Sequence, residues 1–181
     1  MIGYKVARND NDRVIVTLEI PDDALTDMNR RSIIVKETAQ YRANKVKVLK
    51  IEDSDGKEYT EAESMFYPYA SLKYTVGETA VDNYFCRDIE KREEGIYFFL
   101  SREVAERYGL GTVENGIHKM WHPNGVLEEE FECVNGKHHG KYTSYHHNGV
   151  KNIECIYDNG ALAGVFRRWH ENGAMFYDAY C

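Results

Sequence analysis

Four cysteines stand at positions 86, 133, 155 and 181, and no two form a Cys-x-x-Cys pair. Met1 to Lys5 runs straight into a strand-like segment, with nothing resembling a signal peptide. Free thiols in a reducing compartment, and a chain that is not secreted, are the expectation. No apolar run approaches the ~20 residues a membrane-spanning helix needs. Basic runs are also missing. Within the last third, Arg167-Arg168 is the longest, and the net charge is -7. An acidic chain repels phosphate backbones and anionic headgroups, so nucleic acid and membrane are poor default partners. No P-loop, Gly-x-Ser-x-Gly, His-Glu-x-x-His or dinucleotide fingerprint occurs. No histidine precedes His118. With these signatures absent, a non-catalytic chain without a cofactor or metal is expected.

What the chain has in excess is tyrosine, 14 of 181 residues. Tyrosine fits a half-buried pleated surface, so the composition leans toward β-structure. The length allows one ordinary domain or two small ones. No low-complexity linker separates parts.

Three segments align without a gap: Gly116–Gly125 (GIHKMWHPNG), Gly140–Gly149 (GKYTSYHHNG) and Gly164–Gly173 (GVFRRWHENG). The leading glycines, the aromatics Trp121, Tyr145 and Trp169, and the histidines His122, His146 and His170 each recur every 24 residues (145 − 121 = 24; 169 − 145 = 24). Asn124-Gly125, Asn148-Gly149 and Asn172-Gly173 read as type I′ hairpin turns, which need positive φ at both central residues. In the strand after the first turn, Leu127, Phe131 and Cys133 are expected on one face and Glu128, Glu130 and Glu132 on the other. Ile153, Cys155 and Tyr157 repeat the inner face. A second pair, Asn135-Gly136 and then Asn159-Gly160, returns the chain. The product is an antiparallel meander with two strands per repeat. Alternation puts the three aromatics on one face and the three histidines on the other.

This Gly-x-x-x-x-Trp/Tyr-His-x-Asn-Gly pattern resembles the MORN repeats, and more closely the variant form of bacterial antitoxin-like proteins, over roughly residues 112–181. The resemblance implies a β-hairpin stack that binds other proteins. Partner-binding candidates are therefore Trp121, His122, Tyr145, His146, Trp169 and His170. One metal ion cannot bridge the histidine ladder. Equivalent positions lie two strands, about 9.6 Å, apart, whereas zinc ligands sit ~2.0–2.1 Å from the ion. His138, His139 and Cys133 are a loose trio at a turn. Solvated or packing roles are expected for all of them.

In the first hundred residues, Val14–Ile20 reads as a strand stopped by Pro21. Ser32–Lys36 is a possible strand. Lys45–Ile51 alternates with Val46 and Val48 against Leu49 and Ile51, so a strand covered on both faces is expected. Asp53–Gly56 is a turn, and Leu72–Val76 another strand. Gly95–Leu100 reads as a buried central strand. Ser101 then caps a helix over Arg102–Tyr108, stopped by Gly109. The expected fold is α+β and β-rich: a small mixed domain over 1–110 and a hairpin-repeat sheet over 111–181. A three-repeat sheet alone exposes an apolar face, so packing on the first domain or on another subunit is expected.

The blocks Leu18–Ala24 (LEIPDDA), Arg42–Ile51, Tyr74–Glu78 and Gly95–Ala105 carry a second resemblance. Residues 4–108 are similar to an uncharacterised domain of large DNA viruses and phages, which often precedes repeats. This implies a viral setting: a virion component or host-interaction protein in the host cytoplasm or virion. It implies no activity, because none is established for the family. It also leaves room for a homo-oligomer or assembly subunit.

One segment favours an alternative. Gly95-Ile-Tyr-Phe-Phe resembles the Gly-Ile-Tyr-Phe-Ala strand of poly-ADP-ribose polymerases, whose tyrosine stacks on nicotinamide. A divergent ADP-ribosyltransferase-like or ADP-ribose-binding domain would use Tyr97 for stacking, Arg42 for phosphate and Glu61 or Glu63 near the ribose. This chain departs from that family by lacking the upstream histidine and the Ser-Thr-Ser of the toxin-type variant.

Overall fold

The computed structural model describes residues 1–65, 72–110 and 113–180. The chain divides into two compact units, Met1–Tyr108 and Gly109–Cys181.

The first unit is built on β1 (Ile2–Asn9), β2 (Asp12–Glu19), β3 (Gln40–Ala43), β4 (Lys45–Glu52), β5 (Glu61–Ser64), β6 (Lys73–Thr75), β7 (Thr79–Val81) and β8 (Ile96–Phe99), with one helix, α1 (Arg102–Arg107). All strand pairs are antiparallel, in the order β3-β8-β1-β2-β4-β7, and β5 joins β1 to β6. The apolar residues of these strands, including Val14, Val16, Leu18, Val46, Val48, Ile51 and Phe98, form one core. The helix begins as its sequence requires. Ser101 Oγ accepts from the amide of Val104, and Val104 and Ala105 are buried, so the cap satisfies an amide that the first turn leaves open. Gly109 ends it with φ 70°. Among the described residues a single six-residue helix stands beside eight strands, so this unit is strand-rich and the α+β description overstates the helix.

Two strand readings change. Ser32–Lys36 is turn and bend, not strand. In β4, Val46, Val48 and Ile51 are all buried while Leu49 is exposed. The pairing explains it. Leu18 opposes Val48 but Thr17 opposes Lys50, so Leu49 is an extra, bulged residue. A bulge shifts the alternation by one and returns Ile51 to the core face. No second covering layer is needed.

The second unit is a six-stranded meander of β9 (Gly116–Trp121), β10 (Leu127–Val134), β11 (Lys137–Tyr145), β12 (Lys151–Asp158), β13 (Ala161–Trp169) and β14 (Met175–Tyr180), paired in chain order. That is two strands per repeat, as the 24-residue step requires. Asn135 and Gly136 have φ 51° and 71°, and Asn159 and Gly160 have 50° and 86°, the two positive values of a type I′ turn. The other Asn-Gly pairs differ from expectation. Gly125 has φ 91°, but Asn124, Asn148 and Asn172 are not among the positive-φ residues. Gly125 N–H donates to His122 O and His122 N–H donates to Val126 O, each at 2.8 Å. The loop is thus a three-residue turn closed by a left-handed glycine. Asn124 Oδ1 takes the amide of Val126 at 3.1 Å, a bond that competes with a plain two-residue turn. The same bonds recur at His146–Val150 and His170–Ala174.

Candidate functional site

Pairing in the repeat sheet generates continuous rows. On one face His118, Phe131, Tyr142, Cys155, Phe166 and Ala179 oppose one another in turn. Phe131 stacks between His118 at 4.5 Å and Tyr142 at 5.6 Å. His138 lies opposite Cys133 and packs on Phe131 at 4.2 Å and edge-on to Tyr157 at 5.0 Å. It packs as a half-buried ring among these aromatics. Burial raises the pKa of Tyr142, helped by its hydrogen bond to Glu129. The other face carries Lys119, Glu130, Thr143, Glu154, Arg167 and Asp178 in the same order. Ion pairs link Lys119 to Glu130 at 2.9 Å and Arg167 to Asp178 at 3.2 Å.

Trp121 opposes Leu127, Tyr145 opposes Lys151, and Trp169 opposes Met175, again a 24-residue step. The three aromatics share the charged face, and Lys151 Nζ lies 5.3 Å from the Trp169 ring centre. Leu127 therefore lies on that face too, not with Phe131. The cause is a register shift between Leu127 and Glu129 that leaves Glu128 unpaired. Phe176 holds the equivalent place. It stacks on His170 at 4.2 Å and receives Arg168 at 5.4 Å. Arg168 is two residues from Phe166 on the same strand, so His170 lies opposite Trp169, as alternation requires.

The histidines and asparagines of the motif hold neighbouring turns together. His122 Nε2 bonds Tyr145 O at 2.9 Å, and His146 Nε2 bonds Trp169 O at 2.8 Å. Asn124 Nδ2 donates to His147 O at 2.6 Å, and Asn148 Nδ2 donates to Glu171 O at 2.9 Å. The first turn tip is stapled to the second, and the second to the third, by two side chains each. His122, His146, Asn124 and Asn148 thus have a structural task that motif spacing alone left open.

The first unit contains a cavity of about 440 Å³. Val6, Tyr74, Ile96, Tyr97 and Phe99 supply its apolar and aromatic wall. Lys5, 7 % exposed, lines it and donates to Tyr97 O at 3.2 Å. Burial pulls the Lys5 pKa down to about 8, because an ammonium in a low-dielectric site favours its neutral form. Arg92 lies 5.8 Å from the Tyr97 ring centre and donates to Gln40 Oε1. The Tyr97 hydroxyl donates to Glu93 O at 2.6 Å, and burial raises its pKa.

Of the four nucleotide-site candidates, this cavity takes in Tyr97 alone. Arg42 is fully buried, with Nε on Asp27 Oδ2 at 3.2 Å and its terminal nitrogens on Glu94 O and Asp88 O, each at 2.8 Å. Its guanidinium is used up by the fold, so it is not available to a phosphate. Glu61 and Glu63 sit on β5, where Glu63 pairs with Arg8 at 3.6 Å. The neighbouring Ser64 lines the cavity and the two glutamates do not. Sequence reasoning missed Lys5 and Arg92. A single lysine in IGYKVARN reads as a solvated strand residue, and nothing in the pattern marks it as buried. Among the described residues, Cys86, Cys133 and Cys155 are free and no three metal-binding side chains converge; Cys181 lies outside them.

A strand-rich unit thus precedes an array of stapled hairpins. Residues 114–133 and 139–159 match the MORN repeat variant. Residues 1–105 match the family of unknown function DUF5758, and the chain belongs to that family. No curated protein and no solved structure matches it.

Proposed function

We propose that the chain is a non-catalytic binding module whose repeat sheet takes a protein partner. MORN repeats are often involved in protein or membrane binding. The charged face mixes lysine and arginine with glutamate and aspartate, which offers anionic headgroups little net attraction. The observation that carries the reading is β14. Among the described residues it pairs only with β13. It exposes Met175, Phe176, Tyr177 and Tyr180 at 52%, 46%, 50% and 84%. A strand with open amides and carbonyls and exposed aromatics suits partners that add a strand to a sheet edge.

The setting we propose is a large DNA virus, with a virion or host-factor protein as the partner. It rests on the resemblance of residues 4–108 to domains of such viruses. The test is capture of partners from infected cells by the full chain and by a Met175→Lys, Tyr177→Lys variant. Loss of specific partners with the variant supports the reading. An unchanged set moves the contact away from β14.

A further inference from the structure

We propose that the cavity of the first unit is a binding site for a small monocarboxylate with an apolar or aromatic body, held by Lys5. This goes beyond the repeat-sheet reading and does not depend on it, since every described lining residue belongs to Met1–Tyr108.

Lys5 is a buried cation for which no carboxylate lies within ion-pair distance among the described residues. Among the described residues its ammonium makes one hydrogen bond, to Tyr97 O at 3.2 Å, and lies 5.8 Å from the Tyr74 ring centre. An ammonium has three protons to donate, and a buried charge without a counter-ion is costly to a fold. The side chain lines a cavity of about 440 Å³, within the range that houses small ligands. A lysine placed there for packing alone would be better served by methionine, which has similar reach and no charge to desolvate.

The surroundings select the ligand class. Val6, Tyr74, Ile96 and Phe99 line the cavity with carbon, which suits an apolar body. One buried ammonium balances one negative charge. Arg92, the second cation, already donates to Gln40 Oε1 and lies against Tyr97. The exposed Glu93 and Glu94 also line the cavity, and their charges repel a dianion more strongly than a monoanion. A carboxylate fits this balance better than a phosphate monoester. Binding supplies Lys5 with the counter-ion that the described residues do not provide, through a charge-assisted hydrogen bond.

The test is titration calorimetry on the full chain with 3-phenylpropionate, its uncharged amide 3-phenylpropionamide, and phenyl phosphate. The acid is expected to bind at least about tenfold tighter than the amide, as loss of a charge-assisted bond predicts. Phenyl phosphate is expected to bind more weakly than the acid. In Lys5→Met, which removes a buried charge and keeps the apolar wall, the preference for acid over amide is expected to vanish. Acid and amide binding equally to the native chain, no binding of the acid, or tighter binding of phenyl phosphate would each overturn the proposal, whatever the variant does.

Discussion

In the first unit, Asp27 is met by Arg42, fifteen residues on; in the repeat sheet, His122 is met by the carbonyl of Tyr145, twenty-three residues on. The separations are similar. The difference is that the second contact recurs, as His146 on Trp169, and the first does not. Asp27 accepts from Arg30 at 2.6 Å, from the Arg42 side chain at 3.2 Å and from the Arg42 amide at 2.8 Å, and all three residues are buried. One carboxylate thus organises two guanidiniums inside the fold, once. The repeat sheet instead spreads its polar fastening over equivalent, half-exposed bonds. A unit held by one dense polar centre should be sensitive at a point, and a unit held by repeated staples should fail gradually.

The largest expected effect follows from that contrast. Asp27→Ala leaves two buried cations without their carboxylate and is expected to cost the first unit about 3–5 kcal/mol. Hydrogen exchange of the β3 and β8 amides would read this directly. Both tryptophans lie in the second unit, so their fluorescence reports on the repeat sheet. A tryptophan unfolding midpoint that falls in step with the first unit would break the comparison, because the units would then unfold as one block.

Lys5 gives the next effect, as a pH dependence of the first unit. Its folded pKa is lowered by burial from 10.5 to about 8, so between those values the unfolded chain holds the proton more tightly. Stability should therefore rise as pH climbs through that window. Below about pH 8 the charged lysine costs the fold roughly 3 kcal/mol in full. Urea midpoints of the native chain and Lys5→Met between pH 7 and 10.5 isolate the contribution, with the gap between them closing as pH rises. A constant gap would show that Lys5 is not buried as described.

Within the repeat sheet the effects are smaller and graded. His146→Ala removes a staple to Trp169 O and is expected to cost about 1 kcal/mol. The same change at His170, which stacks on Phe176 instead of holding a following turn, should cost less of this hydrogen-bond contribution. Tryptophan-monitored denaturation of the two variants sharpens the comparison, and equal losses would mean that the staples do not carry the difference. The smallest effect is expected at Arg167, whose pairs with Asp178 and Glu154 are partly exposed. Arg167→Gln should change stability by less than about 0.5 kcal/mol.

Much of this architecture is legible in the residues, and the failures have a common cause. The Ser101 cap, the β8 run and the three aligned segments each follow from local chemistry that neighbouring structure leaves intact. Leu49 and Glu128 are different. Each is an extra residue in its strand, and alternation counted along one chain cannot see an insertion defined by the partner strand. That single slip misplaced Ile51 in the first unit and Leu127 in the second. The turn type at Asn124-Gly125 failed for a related reason: the asparagine side chain bonds Val126 and the next hairpin, and so settles in a conformation that the dipeptide alone does not specify.

The 24-residue period by itself determined the repeat sheet. When the same glycine, aromatic, histidine and asparagine return at a constant step, each hairpin meets a neighbour of the same kind, and the register solved once is solved for every copy. Tertiary structure alone decided the interior of the first unit. The sequence offered Arg42 as a phosphate contact for the nucleotide alternative, but Asp27 and the carbonyls of Asp88 and Glu94 enclose it. Nothing in the sequence marks Lys5 as buried, and only the fold brings Tyr97 and Tyr74 around it. Burial of a charge depends on residues far along the chain that meet it only once, and a contact made once leaves no period to read.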